Sequence, residues 1–237
     1  MKLDELEQAL QKAPSPALVS IQLANSETGI IQDIKAIVKL ALQYKAFIHT
    51  DATQAFGKIN INFEDLGVDC LSIAAHKIGG PQGVGALIYK KGLHFNAIIN
   101  GGGQQYNFRS GTENIAAISG FAKATELIEL PSSDLRDSLE DALEKSGWYI
   151  FGKNSNRLPN TILASDRKTP AETQLIKADL ANIQISAGSA CSSGKIANSY
   201  VLEALGEEPE LIKSAIRISL GRNTTQEDIN YFIEKIT

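Results

Sequence analysis

The fold class is set by the stretch between residues 46 and 89, which reads AFIHTDATQAFGKININFEDLGVDCLSIAAHKIGGPQGVGALIY. Its apolar runs at residues 46–50, 69–74 and 84–89 predict three strands, separated by polar and glycine-rich segments. Short strands that alternate with helices along a chain are typical of a mostly parallel sheet covered by helices. This stretch therefore predicts the α/β class.

The sequence on either side continues the alternation. Before the stretch, apolar residues at helical spacing predict helices over residues 3–12 and 34–42, with a buried strand at 17–24 between them. The predicted later elements are helices over residues 112–130 and 135–143 and strands at 161–164, 183–186 and 216–220. We therefore expect a mostly parallel sheet with covering helices in residues 1–125 and a smaller α+β domain in residues 126–237.

Composition and charge exclude several classes of protein. The chain has 237 residues, of which 43% are hydrophobic and 21% are charged, which is the range of globular proteins. A net charge of −4 argues against a nucleic-acid partner, because phosphate binding needs a clustered excess of Lys and Arg. Two cysteines cannot build a disulfide framework. With no apolar run long enough to span a bilayer and no secretory signal, we expect a cytoplasmic protein without membrane contact.

Asp51 is the first candidate for chemistry, because it follows the strand at residues 46–50 directly. A carboxylate at the end of a buried strand is costly unless it meets a cation or several donors. It either caps the following helix or holds a protonated heterocycle at the carboxyl edge of the sheet, where ligands of α/β proteins bind.

Lys77 is the second candidate, and it lies at the end of an apolar strand beside the glycines of IGGPQGVG. Burial lowers the pKa of a lysine and makes its amine nucleophilic, as Schiff-base chemistry requires. The glycine spacing matches neither the dinucleotide fingerprint nor the P-loop. The alternative is an ordinary exposed loop lysine.

Cys191 and Arg217 are the remaining candidates. Cys191 stands among small residues in GSACSSG, so its thiolate could reach outward and attack a substrate, whereas Cys70 lies in an apolar strand and is expected to be inert core. The spacing of the cysteines does not suggest a metal site. Arg217 alternates with Ile216 and Ile218, which suits a guanidinium that binds a carboxylate in bidentate fashion. The alternatives are a small loop residue and a surface strand position.

Six segments together resemble the motifs of one enzyme family. They are NSETG (25–29), HTDATQAFGK (49–58), AHKIGGPQGVGALI (75–88), GGGQQYNFRSGTEN (101–114), ISAGSACSSG (185–194) and IRISLGRNTT (216–225). In this order they resemble NifS/IscS-type cysteine desulfurases, which are class-V, fold-type-I enzymes dependent on pyridoxal 5'-phosphate (PLP). The SACSSG loop is similar to the group that includes IscS. The resemblance implies part of a PLP-binding large domain, followed by a small domain that carries the cysteine.

The resemblance also implies how the cofactor is held. Lys77 forms the Schiff base with PLP and moves the proton at the substrate α-carbon, and Asp51 pairs with the pyridinium nitrogen, which keeps the ring an electron sink. Gln54 hydrogen-bonds the ring hydroxyl oxygen. His76 helps to hold the phosphate, and Thr112 reaches the phosphate in the neighbouring subunit of a homodimer.

The substrate residues follow from the same resemblance. Arg217 binds the carboxylate of L-cysteine, and Cys191 takes its sulfur as a persulfide while L-alanine leaves. The sulfur then passes to an acceptor protein such as an iron–sulfur scaffold. Ser26 stands where the family has an Asn that contacts the ring oxygen and the substrate carboxylate, and Ala74 stands where the family has a phosphate-binding Ser.

Two alternatives to an active desulfurase stay open. The family's N-terminal region, with its phosphate-binding turn and its ring-stacking histidine, is expected to be missing. The chain could then be a catalytically impaired partner in dimerisation or assembly, or it could pair with a chain that supplies this region. A selenocysteine lyase of the same class is the other alternative.

Overall fold

The structure is a computed structural model and describes residues 1–188 and 199–237. The chain divides into two compact units. The first unit comprises residues 1–23 and 32–130, and the second comprises residues 24–31 and 131–237. The short segment 24–31 thus belongs with the C-terminal residues, which the sequence pattern did not indicate. The assignment of domains to residues 1–125 and 126–237 stays a prediction.

The first unit is built around a four-stranded sheet with the order β1-β2-β3-β4. Its elements are α1 (Leu3–Lys12), β1 (Leu18–Gln22), α2 (Ile34–Gln43), β2 (Phe47–Asp51), α3 (Phe63–Leu66), β3 (Cys70–Ala74), a 3₁₀ turn (Ala75–Ile78), β4 (Gly85–Tyr89), a second 3₁₀ turn (Gln105–Asn107) and α4 (Ile115–Glu126). The pairs β1–β2 and β2–β3 are parallel, and β3–β4 is antiparallel. The prediction of a mostly parallel sheet with helices is confirmed.

One face of this sheet is buried and the other is open within the unit. Strands β1 and β2 alternate buried and more exposed positions, since successive side chains point to opposite faces. Val19 and Ile48 lie on the buried face, where helix α2 packs against β2 with its apolar side. Leu18 and Phe47 lie on the other face and are exposed.

The second unit contains a four-stranded antiparallel sheet with the order β5-β6-β8-β7. Its elements are α5 (Asp134–Lys145), β5 (Tyr149–Ile150), β6 (Thr161–Ser165), α6 (Ala171–Leu180), β7 (Ser186–Ala187), α7 (Tyr200–Leu205), α8 (Pro209–Lys213), β8 (Ala215–Ser219) and α9 (Gln226–Ile236). The main core lies between β6, β8 and the helices α5, α6 and α9, and includes Leu139, Ile162, Ile216 and Phe232. Every residue of β6 is buried, because the strand lies inside its sheet.

The strand predicted at residues 183–186 is wrong in extent. The ladder pairs Ser186 with Arg217 and Ala187 with Ile216, so β7 has only two residues. Residues Ile183 and Ile185 contact the core as parts of a loop, which explains why they look like a strand in sequence. Among the described residues, no helix is both long and apolar enough to cross a membrane.

Candidate functional site

Two predicted site residues lie at or just beyond the ends of neighbouring parallel strands of the first unit. Asp51 is the last residue of β2 and lies in register with Ser72 of β3, five residues before Lys77. The carboxyl ends of parallel strands meet at one edge of a sheet, which is the usual ligand edge of α/β folds. The fold therefore places Asp51 and Lys77 at the same edge.

The Asp51 carboxylate is exposed, and the described residues form a hydrogen bond with only one of its oxygens. Its Oδ1 accepts a hydrogen bond of 2.8 Å from the backbone N–H of Thr53, which fixes the direction of the carboxylate. In the described chain, Oδ2 takes no hydrogen bond. No helix begins here in the described chain, so Asp51 closes a turn rather than capping a helix, and its other oxygen is left for a ligand. Gln54 lies in the following turn, where its Oε1 accepts from Lys58 Nζ at 3.3 Å and its amide N–H₂ stays available as a donor.

His76 and Lys77 lie in the 3₁₀ turn that follows β3, and both are exposed. The sequence left open whether Lys77 is buried or an exposed loop residue, and the structure has it exposed. The turn ends at Gly79, whose φ of 83° is a left-handed conformation that favours glycine. Helix α4 packs against this turn, so the backbone that carries Lys77 is held between β3 and a helix.

Pairing between β3 and β4 explains the last glycine of IGGPQGVG, Gly85. A Cβ at residue 85 would lie 2.6 Å from the carbonyl oxygen of Ile73, its neighbour across the β3–β4 pair. Gly85 is thus required by strand pairing. Ala74, in register with Gly85, ends β3 and offers no hydroxyl at this edge.

Thr112 lies in the loop before α4 and is exposed. The Arg109 guanidinium orders this loop by donating to the carbonyl oxygen of Gly111 at 2.7 Å. Within the described residues, the Thr112 hydroxyl takes part in no hydrogen bond. Its hydroxyl is therefore free for a ligand, as a phosphate contact requires.

In the second unit, Arg217 lies in the middle of β8 and is partly exposed, while its neighbours Ile216 and Ile218 are buried. Its Nη1 donates to the carbonyl oxygen of Ser26 at 3.0 Å, and its Nη2 donates to Ser186 Oγ at 3.3 Å. Two contacts orient the planar guanidinium while leaving further N–H groups for a carboxylate.

Arg217 also lines an open cleft of about 730 Å³ inside the second unit. Half of its lining residues are apolar and come from α6 and the loop that follows it, among them Leu175, Ile183 and Ile185, and Asp179 lines it as well. Ser186 and Ser219 lie beside Arg217 in the same cleft. A guanidinium in a cleft of mixed apolar and polar lining is a suitable site for one carboxylate of a small molecule.

The segment 24–31 brings Ser26 to Arg217, and sequence reasoning missed the residues that shape it. Asn25 is buried and accepts hydrogen bonds at Oδ1 from the backbone N–H groups of Glu27 and Thr28, both at 2.9 Å. The Glu27 carboxylate accepts a hydrogen bond from the Ser199 hydroxyl. The polar run NSETG (25–29) is the sequence feature that indicates these residues, although only Ser26 within it is a predicted site residue.

His49 forms a further polar network that the sequence did not suggest. Its Nδ1 lies 2.8 Å from Ser20 Oγ on β1, and its Nε2 lies 3.1 Å from Ser72 Oγ on β3. The imidazole therefore connects three parallel strands on the same face as Asp51, two residues along β2.

Of the two cysteines, only Cys70 lies among the residues that the structure describes. Cys191, the predicted nucleophile, lies outside the described residues. Cys70 is buried in β3, and burial, together with the nearby charge of Asp69, raises the pKa of its thiol. A raised pKa disfavours the reactive thiolate.

Comparisons with known proteins agree on one family. The Aminotransferase class-V family matches residues 1–232. Cysteine desulfurase IscS of Dictyoglomus turgidum is 44% identical over 240 residues, which is 98% of this chain and 60% of that protein. IscS of Haemophilus influenzae strain PittEE is 40% identical over 241 residues, covering 98% of this chain and 59% of its own. This chain thus spans about 60% of the length of these curated relatives.

Solved structures give the same picture. A NifS-like protein from Rickettsia africae has a TM-score of 0.88 and 40% identity, over 99% of this chain and 65% of that one. Cysteine desulfurase from Thermococcus onnurineus, in its apo structure, has a TM-score of 0.79 over 99% of this chain and 62% of its own, at 20% identity, and so supports the fold alone.

Proposed function

Because this chain belongs to the class-V aminotransferase family, we propose that it provides the catalytic residues of a PLP-dependent cysteine desulfurase. The reaction converts L-cysteine to L-alanine and leaves the sulfur as a persulfide on Cys191. The named relatives support this choice of reaction within the family, since they are cysteine desulfurases at 40–44% identity.

The residues present fit PLP chemically. Enzymes of this family use PLP, which offers a ring nitrogen, a ring hydroxyl, a phosphate and an aldehyde. Asp51 has an unused carboxylate oxygen for the ring N–H, and the Lys77 amine has no ion pair or hydrogen bond within the described residues. We assign the cofactor contacts to Lys77, Asp51, Gln54, His76, Thr112 and Ser26. When bound, PLP draws electrons from the substrate α-carbon.

The protein's own groups supply the remaining chemistry. Arg217 binds the α-carboxylate of L-cysteine through its guanidinium N–H groups, and Lys77 moves the proton at the α-carbon. The Cys191 thiolate attacks the substrate sulfur, so that an S–S bond forms as the Cβ–S bond breaks. The electron pair stays with the carbon skeleton, which takes up a proton and leaves as L-alanine.

The placement of Asp51 and Lys77 is the observation that supports the proposal most strongly. Asp51 ends β2 and Lys77 lies in the turn that follows the adjacent parallel strand β3, so an anion and an amine stand at one edge of a sheet in a chain of this family. Neither residue is required there by packing, since both side chains are exposed.

The test uses the purified chain with PLP added. We expect a visible absorbance band from lysine-bound PLP that Lys77→Ala abolishes and Cys191→Ala retains. In an assembly that contains the chain and is active on L-cysteine, we expect alanine release by the parent and loss of the persulfide in Cys191→Ala. Full alanine production with a persulfide still present in Cys191→Ala would refute the nucleophile assignment.

Partners follow from the same reaction. We infer a sulfur-acceptor protein, such as an iron–sulfur scaffold, and a cytoplasmic location. We also infer a homodimer. Exposed apolar side chains between residues 98 and 118 of the first unit, including Ile98, Tyr106 and Ile115, support an association surface.

A second candidate function is a catalytically impaired partner in assembly. Ala74 favours it, because the hydroxyl that the family places at this strand end is absent. This alternative predicts that the chain associates with a sulfur-transfer complex but gives no absorbance band and no alanine. That result would contradict an active desulfurase.

A further inference from the structure

The turn at residues 25–29 is fixed by a buried asparagine. Asn25 accepts at Oδ1 from two backbone N–H groups and also from the Thr28 hydroxyl at 3.1 Å. The backbone N–H of Gly29 donates to the Asn25 carbonyl oxygen at 3.0 Å, which closes the turn. The directions of the Ser26 carbonyl and of the Glu27 side chain are therefore set by the fold rather than by solvent.

This turn holds Arg217 through the backbone of Ser26, the residue that precedes Glu27. Arg217 Nη1 donates to the carbonyl oxygen of Ser26 at 3.0 Å, and Glu27 is the residue bonded to that carbonyl. The Glu27 carboxylate is half-buried and accepts from Ser199. Burial raises the pKa of Glu27, while the Ser199 hydrogen bond and the positive charge of Arg217 act in the opposite direction.

We propose that Glu27 is a positioning residue that sets how strongly Arg217 binds the substrate carboxylate. Its negative charge offsets part of the Arg217 charge when no substrate is bound, and it repels a carboxylate that arrives at the guanidinium. Arg217 thus holds its ligand weakly enough to release the product. The inference rests on the proposed role of Arg217 in binding the α-carboxylate.

The geometry favours this over a purely structural role. A turn that is already closed by Asn25 does not need an ionised side chain at its centre, and burying half of a carboxylate costs free energy. Ser199 gives Glu27 one hydrogen bond and is itself the N-cap of α7, through Leu202 N–H at 3.1 Å. A glutamine at position 27 can accept the same hydrogen bond, so charge and packing are separable.

The first measurement is the affinity for L-alanine, which needs no turnover. The full chain is titrated with L-alanine at about pH 8, above the ordinary range of carboxyl pKa values, and the Arg217 guanidinium signal is followed by NMR. Glu27→Gln is expected to tighten binding about fivefold, the size of one unit charge acting across a partly solvated distance. Glu203→Gln, an exposed carboxylate in the same unit, is the matched control and is expected to change nothing.

L-Alaninamide separates the electrostatic effect from a change of shape, because it lacks the carboxylate. Its affinity is expected to be the same in the parent chain and in Glu27→Gln. Equal or weaker binding of L-alanine by Glu27→Gln would overturn the proposal, and so would equal tightening for both probes.

A second measurement is independent of any ligand. The pKa of Glu27, read from its ¹³C carboxyl signal, is expected to rise in Arg217→Gln, since a nearby cation favours the ionised form. An unchanged pKa would show that the two charges do not interact and would overturn the proposal. If no assembly that contains the chain turned over L-cysteine, the proposed function would fail, while both of these measurements would still decide the role of Glu27.

Discussion

Glu140→Gln is the substitution expected to cost the second unit most stability. Glu140 and Arg157 form a bidentate ion pair with distances of 2.6 and 2.8 Å, and their side chains are 6% and 4% exposed. The glutamine keeps the volume but leaves the Arg157 charge buried without a carboxylate. Breaking one side of a buried pair costs about 3–5 kcal/mol, a large part of the roughly 5–15 kcal/mol that stabilises a typical domain.

Two features of the site place the cost toward the upper end of that range. Arg157 Nε is already buried without a hydrogen-bond partner in the described structure. Arg136 Nε lies 3.9 Å from Glu140 Oε1, so a second cation stays near Arg157 when the carboxylate is neutralised. The free energy of unfolding is measured by urea denaturation, with the midpoint and slope fitted separately.

The same substitution is expected to loosen the turn that orients Arg217. Ile30 forms a β-bridge with Arg157, and the Leu158 N–H donates to the Gly29 carbonyl oxygen at 2.8 Å. Hydrogen exchange at the amides of Thr28 and Leu158 is therefore expected to speed up in Glu140→Gln before global unfolding.

Glu144→Gln is the matched control, because Glu144 lies on the same helix and pairs with Lys153 at the surface. Exposed pairs contribute little, so its loss is expected to be far smaller. The double variant Glu140→Met with Arg157→Leu is expected to recover most of the loss, since an apolar pair needs no charge balance. A Glu140→Gln chain as stable as Glu144→Gln would refute the reasoning.

Three further outcomes are expected. Cys191 should react faster than Cys70 with an alkylating reagent in the native chain, because Cys70 is buried and burial raises its thiol pKa; peptide mapping checks the order, and Cys70 labelled first would contradict it. Gly85→Ala should destabilise the first unit by about 1–3 kcal/mol, because its Cβ meets the Ile73 carbonyl oxygen at 2.6 Å; a chain with unchanged urea midpoint would contradict this clash. Ala74→Ser should tighten PLP binding by about tenfold or more in a fluorescence titration, since a hydrogen bond to a charged group contributes roughly 1.5–3 kcal/mol; equal affinity would exclude a phosphate contact at this strand end.

The order of helices and strands in the first unit followed from local pattern. The helix predicted at residues 3–12 is Leu3–Lys12, and the strands predicted at 46–50 and 69–74 are Phe47–Asp51 and Cys70–Ala74. These elements are short, and their apolar residues recur at the helix or strand period, so each is determined by its own residues. The cap of α2 by Asp33, which accepts from Ala36 N–H at 3.0 Å, is equally local.

The loop after α6 shows where the local pattern failed. Apolar residues at 183 and 185 predicted a strand, yet the ladder begins only at Ser186. Apolar alternation indicates which side chains are buried, and a loop that packs on a core produces the same pattern as a strand. For Lys77 the local pattern left the burial of the side chain open, and only the structure shows that it is exposed.

By itself, the sequence determined the α/β class, the family resemblance and the residue types available for PLP and cysteine chemistry, because motifs and periodicities are carried by neighbouring residues. Only the tertiary structure decided that segment 24–31 belongs with the C-terminal residues, and that a Ser26 carbonyl orients a guanidinium 191 positions away. It alone joined Glu27 to Ser199 and Glu140 to Arg157. Such contacts link residues far apart in the chain, and they exist only once both partners are held in place by packing.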